Sequence, residues 1–146
     1  QIGEGITGFV FLNSPNQSEH RLVTNILSSL GESFELKSEE DIDRITAISG
    51  SGPAYLFEFT CALECAAKEI GLPEKLANKF ALQTVTGASK LLANSGLHPE
   101  ELRDQVTSPK GTTQAALESL EKNNLRKIVQ DAVEAAKARS IELSNA

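Results

Sequence analysis

The chain has no methionine, no tryptophan, one tyrosine, two cysteines and two histidines in 146 residues, and it has no surplus of positive charge. Each shortage excludes something. With 14 Lys plus Arg against 20 Asp plus Glu and a formal charge of −6, it lacks the clustered cationic field that a nucleic-acid groove or an anionic membrane surface selects. No run approaches the roughly 20 apolar residues that cross a bilayer, and the chain does not open on the charged, apolar, small-residue succession of a secretory signal. A cytoplasmic location is the expectation. Cys61 and Cys65 stand four apart in a helical pattern, and His20 and His98 lie far from both. That spacing is neither a CxxC redox motif nor a zinc knuckle, so no metal is expected and both cysteines read as buried small hydrophobes. The missing methionine, with Gln1 at the start, raises the expectation of a piece of a longer protein.

What is present suffices for one sizeable core, since 40% of the residues are hydrophobic. The stretch GITGFVFL, from Gly5 to Leu12, is rich in β-branched and aromatic residues and reads as a strand. SEHRLVTNILSSLG then repeats Leu22, Ile26, Leu27 and Leu30 at helical spacing and stops at Gly31, and SFELK offers a second strand. Strand, helix and strand within about 40 residues is a βαβ unit, which cannot bury both of its faces alone and is expected to be the edge of a larger sheet.

From Glu39 onward helical periodicity takes over. EEDIDRITAI predicts a short helix, and Pro53 to Ile70 a longer one with Leu56, Phe59, Leu63, Ala66 and Ile70 on one stripe, widened by Tyr55, Phe57, Cys61 and Ala62. Gly71 closes that helix, Pro73 opens the next and Gly96 ends it, with Leu76, Phe80, Ala81, Val85, Ala88, Leu91 and Leu92 as its expected buried face. A short HPEELRDQV helix, a TTQAALESLEK helix and a final helix from Leu125 to about Leu143 complete an all-α part. So much apolar helix surface in so small a domain predicts dimerisation through helices, a compact monomeric bundle being the alternative.

Two glycine-rich stretches invite a chemical reading. SGSGPAY, from Ser49 to Tyr55, imitates a dinucleotide fingerprint, but Tyr55 replaces the third glycine and no crossover strand follows. It reads instead as a helix N-terminus with Pro53 first in the helix and open backbone N–H groups, or as a tight packing turn. TSPKGTTQAALESLE, from Thr107 to Glu121, places Thr107, Ser108, Thr112 and Thr113 around Pro109 and Gly111 just ahead of a new helix. Peptide and hydroxyl donors at a helix N-terminus complement a small carboxylate without burying a full charge, and Lys110 adds attraction at longer range. A plain cap supplied by Thr112 or Thr113 is the competing account.

Taken together, SGSGPAY, GLP, HPEELRDQVTSPKGTT and EAAKARSIEL resemble, in order and spacing, the C-terminal domain of pyrroline-5-carboxylate reductase from about Asp41 to Leu143, and the preceding residues resemble the end of that family's dinucleotide-binding domain. The resemblance implies a mainly α fold: a helical dimerisation domain of about six helices, residues 39–146, that also binds substrate, preceded over residues 1–38 by a short β-α-β remnant of a Rossmann-like domain. It implies NAD(P)H-dependent reduction of 1-pyrroline-5-carboxylate to proline and a homodimer of interlocked helices, with assembly beyond the dimer left open; the charge balance and short apolar runs already argue against a nucleic-acid or membrane partner. NADPH or NADH would be bound mainly by the missing N-terminal domain. Ser108, Gly111, Thr112 and Thr113 match the positions that hold the substrate carboxylate, Thr113 matching the threonine beside the ring nitrogen, and Gly50, Ser51 and Gly52 fall near the nicotinamide.

Lys110 departs from the pattern, standing where many members carry a second glycine. If that position takes a positive φ, lysine there costs about 1 kcal/mol or more. Two alternatives remain: a non-catalytic helical homodimerisation module, and a hydroxy-acid dehydrogenase, which needs a proton-transferring lysine where Lys68, Lys79 and Lys90 read as solvent-facing.

Overall fold

The computed structural model describes residues 4–145. The chain divides into two compact units, one running up to Pro53 and resuming at Asp131, the other spanning Ala54–Gln130.

In the first unit, strands β1 (Gly5–Phe9) and β2 (Gly31–Glu35) pair in parallel, in register from Gly5 opposite Gly31 to Phe9 opposite Glu35, and helix α1 (Gln17–Ser28) connects them. Local chemistry fixes where α1 begins. The Asn16 side chain accepts hydrogen bonds from the Ser18 and Glu19 backbone N–H groups, and the Glu19 carboxylate accepts from the Asn16 N–H, a reciprocal capping box. An imidazole–carboxylate contact of 2.9 Å between His20 and Glu35 ties α1 to β2. The expected βαβ unit is therefore present, and among the described residues its sheet has two strands. A two-stranded sheet is marginal by itself.

Helix α2 (Glu39–Ile45) passes through a π-helical turn (Thr46–Gly50) almost directly into helix α3 (Gly52–Glu69). This corrects the expectation of a helix N-terminus at Pro53: Ser51 retains right-handed helical angles and its N–H donates to the Thr46 carbonyl at 2.9 Å. The physical reason lies in the proline. A proline inside a helix has no N–H to give and presses its ring on the carbonyl four residues earlier, a conflict that a widened π-turn relieves. Ser140 on helix α7 (Leu125–Ser144) donates to the Asp43 carboxylate at 2.6 Å, joining the C-terminal part of α7 to α2 within this unit.

The second unit holds most of α3, helix α4 (Glu74–Ser95), helix α5 (Pro99–Gln105), helix α6 (Thr112–Lys122) and the start of α7. With α2, this makes the six helices expected after residue 38. Gly71 and Gly96 end α3 and α4 at φ 95° and 67°, left-handed angles that glycine adopts without a Cβ penalty. After Gly71 the chain closes as a Schellman turn, the Gly71 N–H bonding to Lys68 O and the Leu72 N–H to Ala67 O. Glu64 on α3 accepts from Asn78 on α4 at 2.9 Å and pairs with Lys68 at 3.1 Å, while Glu100 on α5 pairs with Arg126 on α7 at 2.6 Å.

Burial is sparse. Among the described residues, the buried apolar side chains are all alanines: Ala47, Ala77 and Ala81. Of the face expected to be buried on α4, only Ala81 is; Phe80 is 58% exposed, and Leu76, Leu91 and Leu92 also remain open. On α3, Phe57 is 67% exposed, and Ile70 just beyond its end is 81% exposed. Cys61 and Cys65 are exposed free thiols, against the expectation that they are buried. The common cause is that α3 is apolar around most of its circumference and a single chain supplies too few neighbours to cover it. Among the described residues, no helix is long and apolar enough to cross a membrane.

Candidate functional site

The segment from Thr107 to Gln114 is built from the sequence outward. Pro109 occupies the second position of a four-residue turn, Lys110 the third at φ 59°, and the Gly111 N–H donates to the Ser108 carbonyl at 3.0 Å. Proline followed by a residue of positive φ is the signature of a type II turn, in which glycine or asparagine is preferred at the third place. Lysine holds that place here. Gly111 is fixed by close approach, because a Cβ on it would collide with the Ser108 hydroxyl oxygen and lie 3.0 Å from the Ser108 carbonyl oxygen.

Gly111 is also the N-cap of α6, with extended backbone angles and no side-chain cap. The competing account, a cap supplied by Thr112 or Thr113, does not hold. The first N–H groups of α6, which a capping side chain would otherwise consume, face the end of the helix where its dipole is positive. Thr113 and Gly111 are half-buried, while Ser108 and Thr112 are exposed. Thr107 is spent elsewhere: its hydroxyl donates to the Arg103 carbonyl at 2.6 Å, closing α5 rather than joining the donor group.

One contributor was not read from the sequence. Gln114, the third residue of α6, accepts the Lys110 backbone N–H on its side-chain oxygen at 2.7 Å and donates from its side-chain nitrogen to Glu118 at 2.7 Å. The available signal was a Gln three residues after a helix start, the position of the capping-box partner.

Ser108, Gly111, Thr112 and Thr113 thus fall on one turn and helix end in the second unit. Gly50, Ser51 and Gly52 lie in the first unit, at the π-turn and the first residue of α3. Ser51 lines a groove of about 460 Å³ with Thr46, Ala136, Arg139, Ser140 and Leu143. A Cβ added to Gly52 would meet nothing within 4 Å among the described residues, so the backbone there is open to approach.

A short parallel βαβ unit followed by six helices, one of them beginning uncapped among hydroxyls, defines a mainly α chain with a βαβ unit at its N-terminal end. Residues 39–143 match the family model described as "Pyrroline-5-carboxylate reductase dimerisation". Pyrroline-5-carboxylate reductase of Pseudomonas aeruginosa is 43% identical over 143 residues, covering 98% of this chain and 52% of the relative, and the Arabidopsis thaliana enzyme is 39% identical over 144 residues, covering 98% and 51%. The solved pyrroline-5-carboxylate reductase of Coxiella burnetii superposes with a TM-score of 0.89 at 37% identity, over 97% of this chain and 53% of that one. The Plasmodium falciparum enzyme, solved with NADP bound, gives 0.80 at 38% identity over 95% and 53%. The chain belongs to the pyrroline-5-carboxylate reductase family, and it spans about half the length of the curated relatives it matches.

Proposed function

We infer that this chain is the substrate-holding, dimer-forming part of a reductase that converts 1-pyrroline-5-carboxylate to proline with NADPH or NADH. In this reading residues 1–38 are the end of the dinucleotide-binding domain and residues 39–146 the dimerisation and substrate domain, in agreement with a family match that begins at residue 39. The observation that carries it is the uncapped N-terminus of α6, flanked by the hydroxyls of Ser108, Thr112 and Thr113. Backbone N–H groups and hydroxyls are suited to carboxylate oxygens, and the helix end adds a favourable field without a buried charge.

The cofactor fits this chain as a contact only. No glycine fingerprint follows a strand in the 146 residues, while the open backbone at Gly52 leaves room for a flat ring. When bound, the reduced nicotinamide supplies the hydride. The chain's residues do the positioning: Ser108, Gly111 and Thr112 hold the carboxylate, Thr113 places a hydroxyl near the ring nitrogen, and Gly50, Ser51 and Gly52 stand beside the nicotinamide. A protonated cyclic imine accepts hydride readily, so holding it at near-attack distance, about 3–3.5 Å, is the main task.

The test is Gly111→Ala in the full-length protein. The colliding Cβ should raise KM for pyrroline-5-carboxylate by at least about tenfold, a loss of roughly 1.4 kcal/mol of binding, while the dimer survives in sedimentation. A dimer with unchanged KM would remove this turn from the site.

A further inference from the structure

We propose that Gln114 is a positioning residue for the carboxylate-holding turn: its side chain replaces the missing glycine at position 110 by pinning the Lys110 peptide in the left-handed region. The inference rests on the proposed role of the turn and adds a residue to it.

Three observations combine. Lys110 sits at φ 59° at a turn position where glycine or asparagine is preferred. Its N–H donates to the Gln114 side-chain oxygen at 2.7 Å, a bond that forms only while the Lys110 peptide keeps its orientation. The carboxamide is held at its other end, where its nitrogen donates to Glu118 one helical turn further along α6 at 2.7 Å. Gln114 therefore reaches back from the third position of the helix, as a capping-box partner does, but to the residue before the N-cap rather than to the N-cap itself.

The displacement by one residue has a functional consequence. A complete capping box would place a side chain at position 111 to accept one of the first N–H groups of α6. Gly111 supplies none, and its own N–H is engaged by Ser108. The loop is anchored through Lys110, and the helix-end donors are left for a ligand. Lys110 itself is exposed.

The experiment is a double-mutant cycle in the full-length enzyme: wild type, Q114L, K110G and K110G/Q114L, each checked for dimer size and helix content. Q114L should raise KM for pyrroline-5-carboxylate about fivefold, the ratio expected when a non-glycine left-handed residue loses its support, with kcat changed less than about twofold. In the K110G background the same substitution should change KM less than about twofold, because glycine holds the turn unaided. Hydrogen exchange provides a readout independent of turnover: the residue-110 amide should exchange faster in Q114L than in wild type, the Gly111 amide remaining unchanged. Should Q114L not fold, E118A, which frees the outer end of the carboxamide, replaces it in the cycle. Equal KM effects in both backgrounds, or no effect with Lys110 present, overturn the inference. If Gly111→Ala also leaves KM unchanged, the site reading falls with it; if Gly111→Ala raises KM and Q114L does not, only the role of Gln114 falls.

Discussion

Lys110 shows how much one residue can reveal. At φ 59° it bears a left-handed penalty of about 1–2 kcal/mol relative to glycine, whereas glycine would lose about 0.5–1 kcal/mol more conformational freedom on folding. The first effect is the larger, so K110G should stabilise the fold by roughly 0.5 kcal/mol, seen as a higher urea midpoint with an unchanged slope. A destabilisation of similar size would mean that the lysine stem packs on something. Individual residues were unevenly legible in the sequence. The glycine at 111 and the hydroxyls around it could be read because turn chemistry is local, and a positive φ at 110 was anticipated conditionally. The Gln114 bond was overlooked because a glutamine on a helix surface has no distinguishing period. Cys61 and Cys65 were misread because burial depends on neighbours that the periodicity of one helix does not identify.

At the scale of elements, ion pairs and side-chain hydrogen bonds join helices whose apolar faces are mostly uncovered. Asn78 and Lys68 beside Glu64 hold its carboxyl below its ordinary 4.5, and the Arg126 guanidinium does the same for Glu100. A carboxyl lowered in the folded state contributes stability that is present above its ordinary value and is lost as pH falls through the lowered one. The urea midpoint should therefore hold steady near neutral pH and decline once pH drops below 4.5. Combining E64Q with E100Q should flatten that decline; an unchanged acid slope would show that these pairs are too well solvated to matter. Most helices could be anticipated, because Leu125–Ser144 and Glu74–Ser95 carry unbroken 3.6-residue patterns. The junction at Ser49–Pro53 could not. Glycine and proline signal a break, yet a π-turn absorbs the proline and lets the helical path continue.

For the whole molecule, the decisive fact is the poverty of its core. Leu56, Phe57, Phe59, Ile70, Phe80 and Leu91 are each 45% exposed or more. Covering six half-exposed side chains of this size contributes on the order of 5–10 kcal/mol, comparable to the entire stability of an ordinary domain. A second copy of the chain is the proposed cover, in keeping with a family model described by dimerisation. Phe57→Asp should then convert the dimer to unfolded or aggregated monomer in sedimentation and thermal melts. A folded, monodisperse monomer from that variant would show that the faces are covered in another way. The expectation of a partner rests on apolar surface on nearly every side of α3, which the sequence displays, whereas which residues stay uncovered in the lone chain depends on tertiary placement.

Those bare helices also bear on time. If native packing is completed only when two chains meet, acquiring it is a bimolecular event, and its half-time should lengthen about tenfold for each tenfold dilution once encounter limits the rate. Stopped-flow refolding across a concentration series would register this as second-order kinetics. A half-time independent of dilution would place the slow step before the chains meet.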